Sequence, residues 1–193
     1  MQRKMSLGIK ISILTCIFLI ITSIVLNICA NYALNLLSVK MLGDQALSIL
    51  NATIVNINPI SFERLEKANT KEDTYYEELR ILLNDIRQST GCKYLYTIVL
   101  TPDKQNIRYI VDGNNPSSSE FSEYNKTEHI STFPKDIEIV FTGKNFVSDI
   151  YSTPNWGDLI SAFIPIKTKD NRIIGALACD YTATAVQERA ANW

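Results

Sequence analysis

The sequence predicts an α+β chain: a transmembrane helix that continues as a long helix, then a five-stranded antiparallel sheet with flanking helices. Three observations lead there. Residues 11–39 carry no charge and are mostly apolar. Apolar residues then recur at helical spacing as far as residue 57. After residue 93 the pattern changes to short runs of β-branched and aromatic residues separated by turn chemistry.

The apolar run comes first. About 20 apolar residues cross the hydrocarbon core of a bilayer as a helix. The run is longer than a signal-peptide core, and no small-x-small cleavage site follows it. An uncleaved span over 11–33 is expected. Arg3, Lys4 and Lys10 precede it, and the next charge is Lys40. Positive flanks stay inside, so residues 1–10 are expected in the cytoplasm and the rest outside. No second run of this kind occurs.

Beyond the span, Leu34, Leu37 and Met41, then Leu47, Leu50, Ile54 and Ile57, form stripes on one helix. Pro59 limits it, because the residue before a proline avoids the α region. This membrane-proximal helix, 34–58, is expected to pack on its own domain, on the same helix of a second chain, or on both. A second helix is expected from Thr74 to Gln88, with Leu79, Leu82, Leu83 and Ile86 as its apolar face and Gly91 as its stop.

"YLYTIVL" (94–100) and "IRYIVD" (107–112) flank the turn "TPDKQN" and read as a hairpin. With Leu100 opposite Ile107, Tyr96 falls opposite Val111, and Arg108 shares a strand face with Asp112. A polar excursion follows from Gly113, with a short helix expected from Pro134 to Phe141. Three further strands are expected over 146–151, 158–166 and 172–180, then a helix-forming tail.

Charge and composition exclude several functions. All 20 Asp and Glu lie after residue 40, while three of the 19 Lys and Arg precede the span. The external part is therefore net acidic, without a basic stripe, and nucleic acid is excluded as a partner. His129 is the only histidine, and no Cys/His metal spacing occurs, so no metal or cofactor is expected. No catalytic set assembles around one histidine in a polar loop, and no phosphate-cradling glycine motif is present. A pilin-like structural subunit is the alternative; Gly8 is followed by "IKISIL" and lacks the glutamate such subunits carry. The sequons at Asn51 and Asn125 are read as chance.

The combination of "YLYTIVL…RYIVDG", "FTGKNFVSDIY" and "WGDLISAFIPIKTKDNRIIGALACDY" resembles the Cache domains, PAS-like extracytoplasmic sensors of bacterial chemoreceptors, sensor kinases and diguanylate cyclases. The resemblance covers residues 34–185. It lies in the strand Ser161 to Ile166, the polar turn after it, Gly175 inside the last strand and Asp180 at its end. It implies a PAS-like sheet in a sensor domain over 59–186, a small-molecule ligand such as an amino acid or carboxylate, and a homodimer through the membrane-proximal helix. It also implies a second span and an output module. The sequence stops at Trp193, with 187–193 as a tail before that span, so a truncated receptor or a piece of one is expected.

Six residues are candidates for the ligand site. Asp180 ends an apolar strand, where a buried carboxylate is costly unless paired; it meets a ligand ammonium or hydroxyl, or it caps the tail helix. Arg108 and Asp112 offer an arginine fork for a carboxylate, or a solvated strand face with a weak ion pair. Tyr96, Tyr151 and Trp156 wall a pocket or fill the core, as does Tyr94. A PAS-like order also brings Cys92 near Cys179, as a disulfide or as two buried thiols.

Overall fold

A computed structural model describes residues 6–68, 70–71 and 73–184. Arg3 and Lys4, most of the expected tail helix and the segment 187–193 lie outside the described residues.

The first element, α1 (Leu7–Ile54), is one unbroken helix of 48 residues, about 72 Å long at 1.5 Å per residue. Its first half is long and apolar enough to cross a membrane, and none of its most apolar window is buried. The second half rests on the domain through Ser38, Leu42, Ala46, Leu50 and Thr53. Of the two expected stripes, Leu47, Leu50, Ile54 and Ile57 pack on the domain core, and the one nearer the membrane does not. Leu34, Leu37 and Met41 are 42, 54 and 40% exposed. The buried face continues from Leu50 toward the membrane through Ala46 and Leu42, at steps of four residues. Small residues at Gly43 and Ala46 let α1 approach the sheet; a Cβ at position 43 would come within 2.6 Å of Val147.

Helix α1 stops at Ile54, short of the expected 58, and Pro59 opens the next helix rather than ending this one. The Asn58 side chain accepts from the N–H groups of Ile60 and Ser61, at 3.0 and 3.2 Å. With Pro59 in the first turn this starts α2 (Pro59–Lys67), an element the sequence reading lacked. Helix α3 (Thr74–Thr90) is capped by Asp73 and ends at Gly91, left-handed at φ 70°, as the "STG" signal predicts.

The sheet is antiparallel throughout. Its strands are β1 (Tyr94–Leu100), β2 (Asn106–Asp112), β3 (Thr127–His129), β4 (Phe146–Val147), β5 (Tyr151–Thr153), β6 (Gly157–Lys167) and β7 (Ile173–Thr182). The order is β3-β2-β1-β7-β6-β4, with β5 also on β6. Seven strands replace the expected five for two reasons. The strand expected over 146–151 breaks into β4 and β5, and the polar excursion contributes β3. The helix expected from Pro134 to Phe141 is a 3₁₀ segment, Ile137–Thr142, preceded by a 3₁₀ turn, Ile130–Thr132.

Alternation sends the two sheet faces to different layers. Leu95, Val99, Ile110, Val111, Leu177 and Cys179 pack on the three helices. Tyr94, Tyr96, Ile98, Tyr109, Phe163 and Ala178 turn the other way, under the loops around Phe133, Ile137 and Trp156. Gly175 is needed on β7: a Cβ there would meet the Ile98 carbonyl oxygen at 2.8 Å and the Phe62 ring at 2.9 Å.

The buried helix face is testable. Leu50→Ala opens a cavity in the full chain and is expected to cost about 2–5 kcal/mol in denaturant unfolding. Leu37→Ala, outside the core, is expected to cost less than ~0.5 kcal/mol. Equal losses would restore the first stripe.

Candidate functional site

One irregularity in β2 sets the site. Ile98 pairs with Tyr109, but Thr97 pairs with Val111 and Tyr96 with Asp112. Ile110 is the extra residue of a β-bulge, which turns everything after it to the other face. Ile110 and Val111 both pack on the helices. The Thr97 hydroxyl accepts from the Val111 N–H at 2.9 Å, satisfying the ladder where it breaks.

The bulge separates the expected Arg108–Asp112 pair. Arg108 points to the helical side. Its guanidinium donates to the Glu66 carbonyl at 3.1 and 3.2 Å and to Asn125 Oδ1 at 2.6 Å, and it pairs with the Glu66 carboxylate. It ties the end of α2 to the loop before β3 and lines no part of the cavity described next. Asp112, 4% exposed, turns to the opposite face. It accepts from the Asn114 and Ser122 N–H groups at 2.8 and 2.7 Å, organising the start of the excursion.

On that face lies a small cavity of about 20 Å³. The structure brings Tyr96, Asp112, Tyr151, Trp156 and Asp180 together around it, with Tyr94, Tyr109 and Phe133 completing an aromatic wall. Tyr94 and Trp156 meet edge to face at 5.4 Å between ring centroids, and Tyr96 and Tyr109 are also 5.4 Å apart. Burial raises the phenol pKa of Tyr96, Tyr109 and Tyr151 well above the ordinary value, so all three remain neutral hydroxyls. Tyr151 Oη lies 2.8 Å from Ser161 Oγ.

Asp180 is not a helix cap. It lies inside β7, pairing with Tyr94 on one side and Ser161 on the other. It is 2% exposed, and its Oδ1 accepts no hydrogen bond from any described residue. Burial pushes its carboxyl up to about 7, opposed by the Ser161 and Tyr96 hydroxyls and aided by the charge of Asp112. Burial likewise raises Asp112 to about 6, against the two N–H groups that hold it.

Residues that sequence reasoning did not select complete the wall. Glu120 and Glu128 stand at the mouth, each paired with a lysine: Lys93 to Glu120 at 2.6 Å and Lys126 to Glu128 at 2.8 Å. Lys126 Nζ lies 4.9 Å from the Trp156 ring centroid and 5.6 Å from that of Tyr109. These groups come from the polar excursion, where no periodicity fixes side-chain direction. Behind the sheet, Cys92 and Cys179 are two buried free thiols.

No family model matches the chain, and no curated protein matches it in sequence. Solved structures do match in fold. The sensor domain of Escherichia coli DcuS superposes with a TM-score of 0.55 at 14% identity, over 81% of this chain and 99% of that one. The sensory domain of the Campylobacter jejuni chemoreceptor Tlp3 superposes more loosely, with a TM-score of 0.43 at 19% identity, over 80% of this chain and 66% of that one. The chain thus shares the fold of the DcuS sensor domain, the kind of architecture that the sequence resemblance implied.

The two raised carboxyls fix a pH dependence. Both bind protons more tightly in the folded chain than in the unfolded one, where an aspartate titrates near 4. Stability from them is complete below pH ~4 and lost as pH rises through about 6 and 7. Surface carboxyls such as Glu63, held down to about 2 by Arg172 and Lys67, act oppositely but only below pH ~5. The unfolding midpoint of the full chain is expected to be higher at pH 5.5 than at pH 8, and Asp180→Asn is expected to remove most of that difference. A midpoint that rises with pH over this range would contradict the burial account.

Proposed function

We propose that this chain is the extracytoplasmic sensing domain of a membrane receptor, and that it binds a small metabolite in the cavity around Asp180. One observation carries the reading: a buried carboxyl group, one oxygen of which has no donor among the described residues, lines an aromatic-walled cavity. Burying such a group unsatisfied costs free energy, which a ligand donor would recover. The cavity as it stands, about 20 Å³, has room for roughly one water, so a ligand is proposed to enter as the loops over the sheet move outward. The DcuS fold supports a sensor architecture, and the apolar half of α1 supports a membrane anchor with the N-terminus in the cytoplasm. Tyr96, Asp112, Tyr151, Trp156 and Asp180 are the proposed ligand contacts. The chain itself is proposed to be non-catalytic.

The site has a mechanical route to the anchor. Asp180 faces the cavity, while its neighbours Cys179 and Tyr181 pack on the helical side. Gln45 of α1 donates to the Tyr181 hydroxyl at 2.8 Å. A ligand that prefers one position of β7 over another would bias this contact, because only differential affinity shifts a conformational equilibrium. The apolar residues Leu34, Leu37 and Met41, left uncovered by the domain, are proposed to face the same helix of a second chain. Leu37→Ala is then expected to shift sedimentation toward monomer; unchanged self-association removes this helix from the interface.

Thermal unfolding of the full chain in nanodiscs, against a panel of amino acids, carboxylates, amines and neutral metabolites, tests the sensing role. At least one compound is expected to raise the midpoint by several degrees, and Asp180→Asn is expected to abolish that shift while keeping the wild-type circular dichroism. A panel that stabilises nothing would favour a structural subunit without ligand binding.

A further inference from the structure

The charges around the cavity narrow the ligand, given the sensing role proposed above. Four carboxylates line it: Asp112, Glu120, Glu128 and Asp180. No arginine, lysine or histidine does, among the described residues. The two cations at its mouth are already matched, Lys93 by Glu120 and Lys126 by Glu128. The arginine that sequence reasoning offered to a carboxylate is turned to the helical side by the bulge and held by Glu66 and Asn125. A ligand carboxylate would therefore enter an acidic, desolvated space without a counter-charge, and a charge buried unpaired is costly.

The same space suits a cation in three independent ways. Asp180 Oδ1, on a residue 2% exposed, lacks a donor. Aromatic faces attract cations through the ring quadrupole, and Tyr94, Tyr96, Tyr109, Tyr151 and Trp156 surround the carboxyl. An ammonium already uses two of these rings: Lys126 Nζ sits within 6 Å of the Trp156 and Tyr109 centroids. The unpartnered indole Nε1–H of Trp156 suits a ligand hydroxyl or carbonyl oxygen; one neutral donor does not neutralise a carboxylate.

We infer that the ligand is a small organic cation without a carboxylate, a protonated amine or alkylammonium compound, held by Asp180 inside the aromatic wall. Lys126 is the internal cation that it meets at the mouth.

Calorimetric titration of the full chain in nanodiscs with matched pairs tests this. Each pair differs by one carboxylate: phenethylamine against phenylalanine, ethanolamine against serine, isobutylamine against valine. Choline and succinate extend the set. At least one amine is expected to bind about tenfold or more tightly than its amino-acid partner. Asp180→Asn is expected to weaken that amine at least about tenfold. Lys126→Gln, which removes a like charge at the rim and leaves the core intact, is expected to tighten it several-fold. Preference for amino acids or succinate would overturn the inference and leave the sensor reading standing. Binding of no compound in the set would count against both. An amine whose affinity ignores both substitutions would place its site elsewhere and overturn the assignment.

Discussion

Asp180 sits in the middle of the sheet, between Tyr94 on β1 and Ser161 on β6, with 2% of its surface exposed. The hydroxyls of Ser161 and Tyr96 meet part of its demand, and Oδ1 is left without a donor. A chain built only for stability would place an apolar residue here, since replacing a poorly satisfied buried charge by hydrocarbon is often neutral or favourable. The surrounding structure keeps the carboxyl and closes it off from water instead. The aromatic wall, the acidic mouth and the loops over the sheet are organised around that one group.

The fold supports this by separating two tasks. The face toward α1, α2 and α3 is a continuous apolar core that fixes the sheet. The opposite face carries the polar chemistry and is covered by segments with little regular structure, whose shape is set by local bonds such as Asp112 to Ser122 and Asn114. The bulge in β2 lets one strand serve both. Arg108 ahead of it tethers α2, while Asp112 after it organises the cavity wall. A regular strand would have left both charges on the helical side, with the cavity short of a carboxylate.

Much of this was legible in the sequence where the local signal was strong. Residues 94–100 form β1 as read, Gly91 ends α3, and the apolar run marks the exposed half of α1. Asp180, Tyr96, Tyr151 and Trp156 could be singled out because a carboxylate or a large ring stood where a plain core residue was expected. The rest depended on context that a sequence does not carry. A bulge adds one residue without altering composition, so the register of β2 and the direction of Val111 and Asp112 were misread beyond Tyr109. Helix α2 was hidden because Pro59 reads as a stop; the Asn-Pro pair that starts a helix was the available signal. Glu120 reaches the cavity from a loop and Glu128 from the three-residue β3, both inside the polar excursion, where the sequence pattern does not fix side-chain direction. On α1 the stripe Leu47, Leu50, Ile54 and Ile57 was legible, while Leu42, Ala46 and Thr53 were missed because small or polar residues that fit close to the sheet weigh little in an apolar stripe.

The central claim is that Asp180 is a buried carboxyl held for a ligand rather than for the fold. Carbon-13 NMR of the aspartate carboxyl carbons, assigned by comparison with Asp180→Asn, reads its titration directly in the full chain. The account predicts a midpoint near 7 without ligand, moving down by at least about one unit when a cation is bound, since an opposite charge within a few ångströms favours the ionised form. A midpoint near 4 in the free chain, unmoved by any cation, would show a carboxyl already satisfied by the protein and would contradict it.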